Sequence, residues 1–153
     1  MPNAFFQLWY MTSLIHPSSS VSKLVHLGEN VKIGPFCSLD GKINIGDGTE
    51  LKSHVSITGN TNIGKNNIFY PFSNIGCDPQ DQKFSGEESF LEIGNSNTFR
   101  ENVTISKGTK EGGMITSIKD NNLFMTGVHI AHDCKINNNN IFVNQVTLGG
   151  HVN

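Results

Sequence analysis

One apolar position recurs every six residues along this chain. From Ile15 the column reads Ile15, Val21, Leu27, Ile33, Leu39, Ile45, Leu51, Ile57, Ile63, Phe69 and Ile75. It resumes in phase at Ile93, Phe99 and Ile105, then restarts one residue out of phase at Ile118 and runs through Phe124, Ile130, Ile136, Phe142 and Leu148. All twenty positions are aliphatic or Phe, although only 36% of the chain is hydrophobic, so chance does not produce the column. A helical stripe would recur every three to four residues and a half-buried strand every two. A period of six instead requires the chain to turn after each hexapeptide. The residue after the column is often Gly (Gly28, Gly34, Gly46, Gly64, Gly76, Gly94, Gly149), and the residue four after it is Val, Ser, Thr, Cys or Asn. Gly and Asn accept the positive φ of sharp turns, and compact side chains suit a crowded corner. The pattern predicts short parallel strands coiling into an all-β solenoid around an apolar interior.

Two segments interrupt the column, "CDPQDQKFSGEESFLE" (Cys77 to Glu92) and "SKGTKEGGMITS" (Ser106 to Ser117). Both are polar and rich in Gly or charge, which predicts loops standing out from the solenoid, where binding groups tend to sit on rigid scaffolds.

Composition narrows the functional classes. A length of 153 residues fits one domain. There is no apolar run of 18 residues, so no membrane-spanning helix is expected. A formal charge of -2 without a basic stripe argues against nucleic-acid binding through phosphate neutralisation. Cys37, Cys77 and Cys134 are odd in number and lack CxxC spacing, which points to a reducing, cytoplasmic setting and away from a disulfide framework or structural zinc site. "MPNAFFQLWYM" has no Lys or Arg and so lacks the charged start of a secretory signal. Residues 1–14 are assigned to an N-terminal extension and 15–153 to the solenoid.

Chemistry concentrates in "VHIAHDCKINNNN" (Val128 to Asn140), with two histidines, an aspartate and a cysteine within six residues. The hexapeptides resemble those of the left-handed β-helix acyltransferases. More closely, "IHPSSSV", "IGPFC", "LKSHV", "PQDQKFSGE", "FRENVTI" and above all "HIAHDC" are similar to the UDP-N-acetylglucosamine acyltransferases of lipid A biosynthesis, in unbroken order from about Ile15 to Asn153. The resemblance implies a left-handed parallel β-helix with three hexapeptides per coil and two inserted loops, assembled as a homotrimer with sites between subunits. The reaction it implies is transfer of a 3-hydroxyacyl group from acyl carrier protein to the 3-hydroxyl of UDP-N-acetylglucosamine, with no metal and no other cofactor.

With three hexapeptides per coil, residues 18 apart stack on adjacent coils, which places His132 under Gly150 and Asp133 under His151. Transfer to a hydroxyl needs a base, for which imidazole titrates in the right range, and a donor aimed at the oxyanion. The resemblance assigns His132 as general base, Asp133 as the group orienting its ring and Gly150 as the oxyanion N–H. It assigns Gln80, Asp81, Lys83, His129 and His151 to substrate binding, and Met125 to the acyl groove. Each has a structural alternative: a hydrogen-bonded interface histidine, a turn aspartate, a turn glycine, a solvated lysine, a packing methionine. Ser106 and Lys107 stand where the family commonly has His and Arg. The chain stops at "LGGHVN", where family members continue with further coils and a helical C-terminal domain. The competing functions are another sugar acyltransferase of the hexapeptide class and a non-catalytic or zinc-binding solenoid.

Overall fold

The computed structural model describes residues 13–153, so the N-terminal extension lies, apart from its last two residues, outside the described residues. The chain winds into a three-faced parallel β-helix. One face stacks Leu14–Ile15, Lys32–Ile33, Glu50–Leu51, Ile68–Phe69, Thr98–Phe99, Leu123–Phe124 and Ile141–Phe142. The second face runs from Ser20–Val21 to Thr147–Leu148, and the third from Val25–Leu27 to Lys135–Ile136. All strand pairs are parallel, and consecutive elements lie on different faces.

The period of six is the geometry of a triangle. Partners lie eighteen residues apart, as in Ile15 opposite Ile33 and Ile130 opposite Leu148. The offset grows to thirty across the first loop, where Ile63 faces Ile93, and to twenty-five across the second, where Ile93 faces Ile118. The column is the core: Ile57, Phe69, Ile75, Phe99, Ile105, Phe124 and Ile130 are fully buried. Phe69, Phe99, Phe124 and Phe142 stack face to face at 4.6–4.9 Å, the spacing of neighbouring strands.

The compact residue four after the column also points inward. Val31, Thr49, Asn67, Asn97 and Asn122 are buried beneath one face. The asparagines form an amide ladder in which each Oδ1 accepts the next coil's backbone N–H and Nδ2: Asn67 from Asn97 (2.9 and 3.1 Å), Asn97 from Asn122 (2.9 and 3.0 Å), Asn122 from Asn140 (2.8 and 3.0 Å). The asparagine run after the histidines therefore serves the scaffold. Asn138 caps the Asp120 N–H at 2.8 Å, Asn139 takes φ 62° and Asn140 ends the ladder.

Two expectations need correction. The positive φ falls three residues after the column, at Asn30, Phe36, His54, Asn66, Phe72, Ser96, Asn102, Asn121, Asp133, Asn139, Gln145 and His151, and among the glycines that follow the column only at Gly76 (φ 78°). The glycine after the column instead makes room for the neighbouring coil: a Cβ on Gly46 would sit 2.6 Å from the Gly64 carbonyl carbon. The loops are also shorter than the polar segments suggested. Phe90–Ile93 and Ile115–Ile118 are strands of the third face, with Leu91 fully buried, so the excursions proper run over 78–89 and 107–114. Alternation of buried and exposed residues in these strands was masked by the charge around them.

Candidate functional site

Three successive coils deliver their chemistry to one edge of the prism, between the second and third faces. The first loop leaves this edge after Asn74–Cys77, the second after Thr104–Ser106, and in the next coil the edge is Ala131 to Cys134, between His129–Ile130 and Lys135–Ile136. Stacking alone thus places two loops and the histidine pair side by side.

At this edge His132 Nδ1 lies 2.8 Å from Asp133 Oδ2. The Asp133 side chain is fully buried, and that of His132 is 14% exposed. Burial pushes the Asp133 carboxyl up, but donation from the Thr109 hydroxyl and N–H and from His132 more than offsets it, leaving it below the ordinary carboxylate range. Asp133 is therefore an anion at neutral pH, and only an Nδ1–H can face it. Gly150 lies directly over the ring: a Cβ there would be 2.5 Å from His132 Cε1 and 2.8 Å from Nε2. His151 meets His132 edge-on at 5.1 Å between ring centroids, with its Nδ1 4.0 Å from Asp133 Oδ2. Both stackings expected from the eighteen-residue rule are present.

The other candidates lie farther out. His129, on the strand leading into the edge, hydrogen-bonds Thr104 Oγ1 at 2.7 Å, and burial pushes its pKa down. In the first loop, Gln80 is exposed and Asp81 Oδ1 accepts the Lys83 N–H at 3.0 Å. Lys83 Nζ pairs with Glu111 of the second loop at 3.1 Å. Met125 is half-buried. Ser106 is buried, its hydroxyl 3.8 Å from Cys77 Sγ. Lys107 folds inward, pairing with Asp78 at 2.9 Å and lying over the Phe84 ring at 5.6 Å, so it ties the two loops together. Thr109, Glu111 and Gly112 belong to the site and were missed by sequence reasoning, because the loop has no periodicity to mark which of its residues turn inward.

His132, Asp133 and His151 also place one potential ligand atom each within 4.8 Å of one another. His132 Nδ1 and Asp133 Oδ2 are already engaged with each other as donor and acceptor.

A triangular parallel helix of hexapeptides with a histidine–aspartate pair on one edge defines the class: a left-handed β-helix of the hexapeptide-repeat acyltransferases. No family model matches the chain. It is 52% identical over 123 residues to an acyl-[acyl-carrier-protein]--UDP-N-acetylglucosamine O-acyltransferase of Rickettsia canadensis, covering 80% of this chain and 47% of that protein. A namesake from Rickettsia bellii is 51% identical over 81% of this chain and 44% of its own length. The structure of Francisella novicida UDP-N-acetylglucosamine acyltransferase superposes with a TM-score of 0.89 at 42% identity, over 90% of this chain and 50% of that one. In sequence and fold the chain belongs with the UDP-N-acetylglucosamine acyltransferase family. It spans about half the length of the curated relatives it matches. Among the described residues no helix is long and apolar enough to cross a membrane.

Proposed function

We propose that this chain carries the catalytic edge of an O-acyltransferase that moves a 3-hydroxyacyl group from acyl carrier protein to the 3-hydroxyl of UDP-N-acetylglucosamine, the first step of lipid A biosynthesis. The observation that carries the reading is the buried Asp133 holding His132 Nδ1 beneath Gly150, on a chain about half identical to relatives named for that reaction. His132 Nε2 takes the proton of the sugar hydroxyl as its oxygen attacks the thioester carbonyl. The Gly150 N–H donates to the resulting oxyanion. Collapse forms the ester C–O bond, breaks the C–S bond and returns the proton from His132 to the carrier thiolate. Asp133 holds the ring in place and stabilises the imidazolium that forms between these transfers.

Gln80, Asp81, Lys83, His129 and His151 contact the sugar nucleotide in this reading, and Met125 lines the acyl groove. Lys83 meets nucleotide charge by exchanging Glu111 for the ligand, an exposed pair that costs little to open. The functional unit is a cytoplasmic homotrimer. An exposed ridge along another edge, where the His54 ring lies 5.0 Å from those of Phe36 and Phe72, is apolar surface that assembly would cover. The chain is the β-helical domain from residue 15 onward, preceded by the extension 1–14.

The test is transfer from 3-hydroxyacyl carrier protein to UDP-N-acetylglucosamine, comparing the wild type with His132→Ala. Loss of a general base removes about 10²–10⁴ in rate, with assembly retained. Near wild-type transfer by His132→Ala refutes the assignment of the base. The zinc-binding alternative is supported by the three converging ligand atoms, and metal analysis of the purified protein separates it from the enzyme.

A further inference from the structure

The second loop carries no residue that the sequence singled out for chemistry, yet it closes over Asp133. Thr109, 3% exposed, donates its backbone N–H to Asp133 Oδ1 at 2.9 Å and its hydroxyl to Oδ2 at 2.5 Å. Gly112 packs so tightly on the carboxylate that any Cβ would overlap its carbon and Oδ2. From the scaffold side the Asp133 N–H donates to Thr116 Oγ1 at 2.8 Å, fixing a backbone that sits at φ 61°. Asp133 is thus gripped by its carboxylate from the loop and by its backbone from the coil, and only Oδ2 is shared with His132. The other titratable neighbours are His151, 4.0 Å away, and the Cys134 thiol, which donates to the Gly149 carbonyl at 3.1 Å.

We propose that Thr109 is a positioning residue, which sets the plane of the Asp133 carboxylate so that Oδ2 meets His132 Nδ1 and thereby selects the neutral tautomer with a free Nε2 lone pair. The proposal rests on the acyl-transfer reading for its kinetic consequence and on geometry alone for the tautomer. A ligand's outer partner fixes which ring nitrogen carries the proton. Without the Thr109 hydroxyl, one oxygen of the carboxylate loses its second donor. With only the Thr109 N–H left on Oδ1, the carboxylate can tilt so that Oδ2 leaves the ring, and a His132 released from Oδ2 carries its proton on Nε2, where it cannot act as a base.

The experiment is ¹⁵N NMR of the His132 ring in the neutral state, assigned by loss of its signals in His132→Gln, in Thr109→Val and Thr109→Ser. The wild type and Thr109→Ser should show Nδ1–H. Thr109→Val should show a mixture rich in Nε2–H, with kcat about tenfold lower at unchanged KM, at the lower end of the effect of such supporting contacts. Should Thr109→Val fail to fold by circular dichroism, Thr109→Ala is read in the same way. A folded Val or Ala variant that keeps the pure Nδ1–H tautomer overturns the proposal. The tautomer is measured without substrate. A shift in a protein that transfers nothing would therefore sink the acyl-transfer reading and leave the positioning role standing, whereas intact transfer chemistry with an unmoved tautomer would do the opposite.

Discussion

The sharpest consequence of the stacked site concerns Gly150→Ala. The residue is absent from those at positive φ, so alanine meets no backbone penalty, and it keeps the N–H proposed for the oxyanion. What it adds is one methyl group, 2.5 Å from His132 Cε1, 2.8 Å from Nε2 and 3.1 Å from Nδ1. Carbon atoms rest at about 3.5–4.0 Å, so the ring must retreat by about 1 Å. That movement stretches the 2.8 Å bond to an Asp133 that cannot follow, because Thr109 and the backbone hold it. A displacement of about 1 Å in a reacting group costs about 10²-fold in rate, or about 2.7 kcal/mol of barrier. Alanine also reduces the freedom of the unfolded chain, worth about 0.4–1 kcal/mol, so the change in stability is read separately from the change in rate. The assay is steady-state transfer alongside a thermal melt. A kcat within threefold of wild type would refute the claim that Gly150 and the imidazole are in contact during the reaction.

Phe99→Ala tests the core: it removes a fully buried ring stacked on Phe69 and Phe124, and unfolding in denaturant should show a loss of about 3–5 kcal/mol, while a surface-sized effect would contradict the packing. Acid stability follows Asp133. Its folded pKa is lowered, so its contribution is present above the unfolded value of about 3.9 and is lost as pH falls from there through the folded value. Thermal melts of Asp133→Asn across that window should therefore vary less with pH than wild type, and an unchanged slope would show that the carboxylate is not held as described.

The amino-acid order alone determined that the chain coils: a column of apolar residues at a spacing no helix or flat sheet can use is buried only if the chain turns after each hexapeptide, as Ile57, Phe99 and Ile130 are. Three hexapeptides per coil came from the family resemblance, and the eighteen-residue rule that follows from it set Gly150 over His132 and His151 beside Asp133. The loops were legible only as interruptions. Which of their residues turn inward depends on contacts between coils, so the Thr109 grip on Asp133, the Lys107 bridge to Asp78 and the pairing of Lys83 with Glu111 became visible only in three dimensions. The role of the column's glycines was likewise decided by how closely one coil approaches the next, a distance that local φ preference does not contain. Periodicity encodes the repeating part of a solenoid, because each rung sees the same neighbours. Where the repeat is broken, each residue's surroundings are unique, and only the folded chain assigns them.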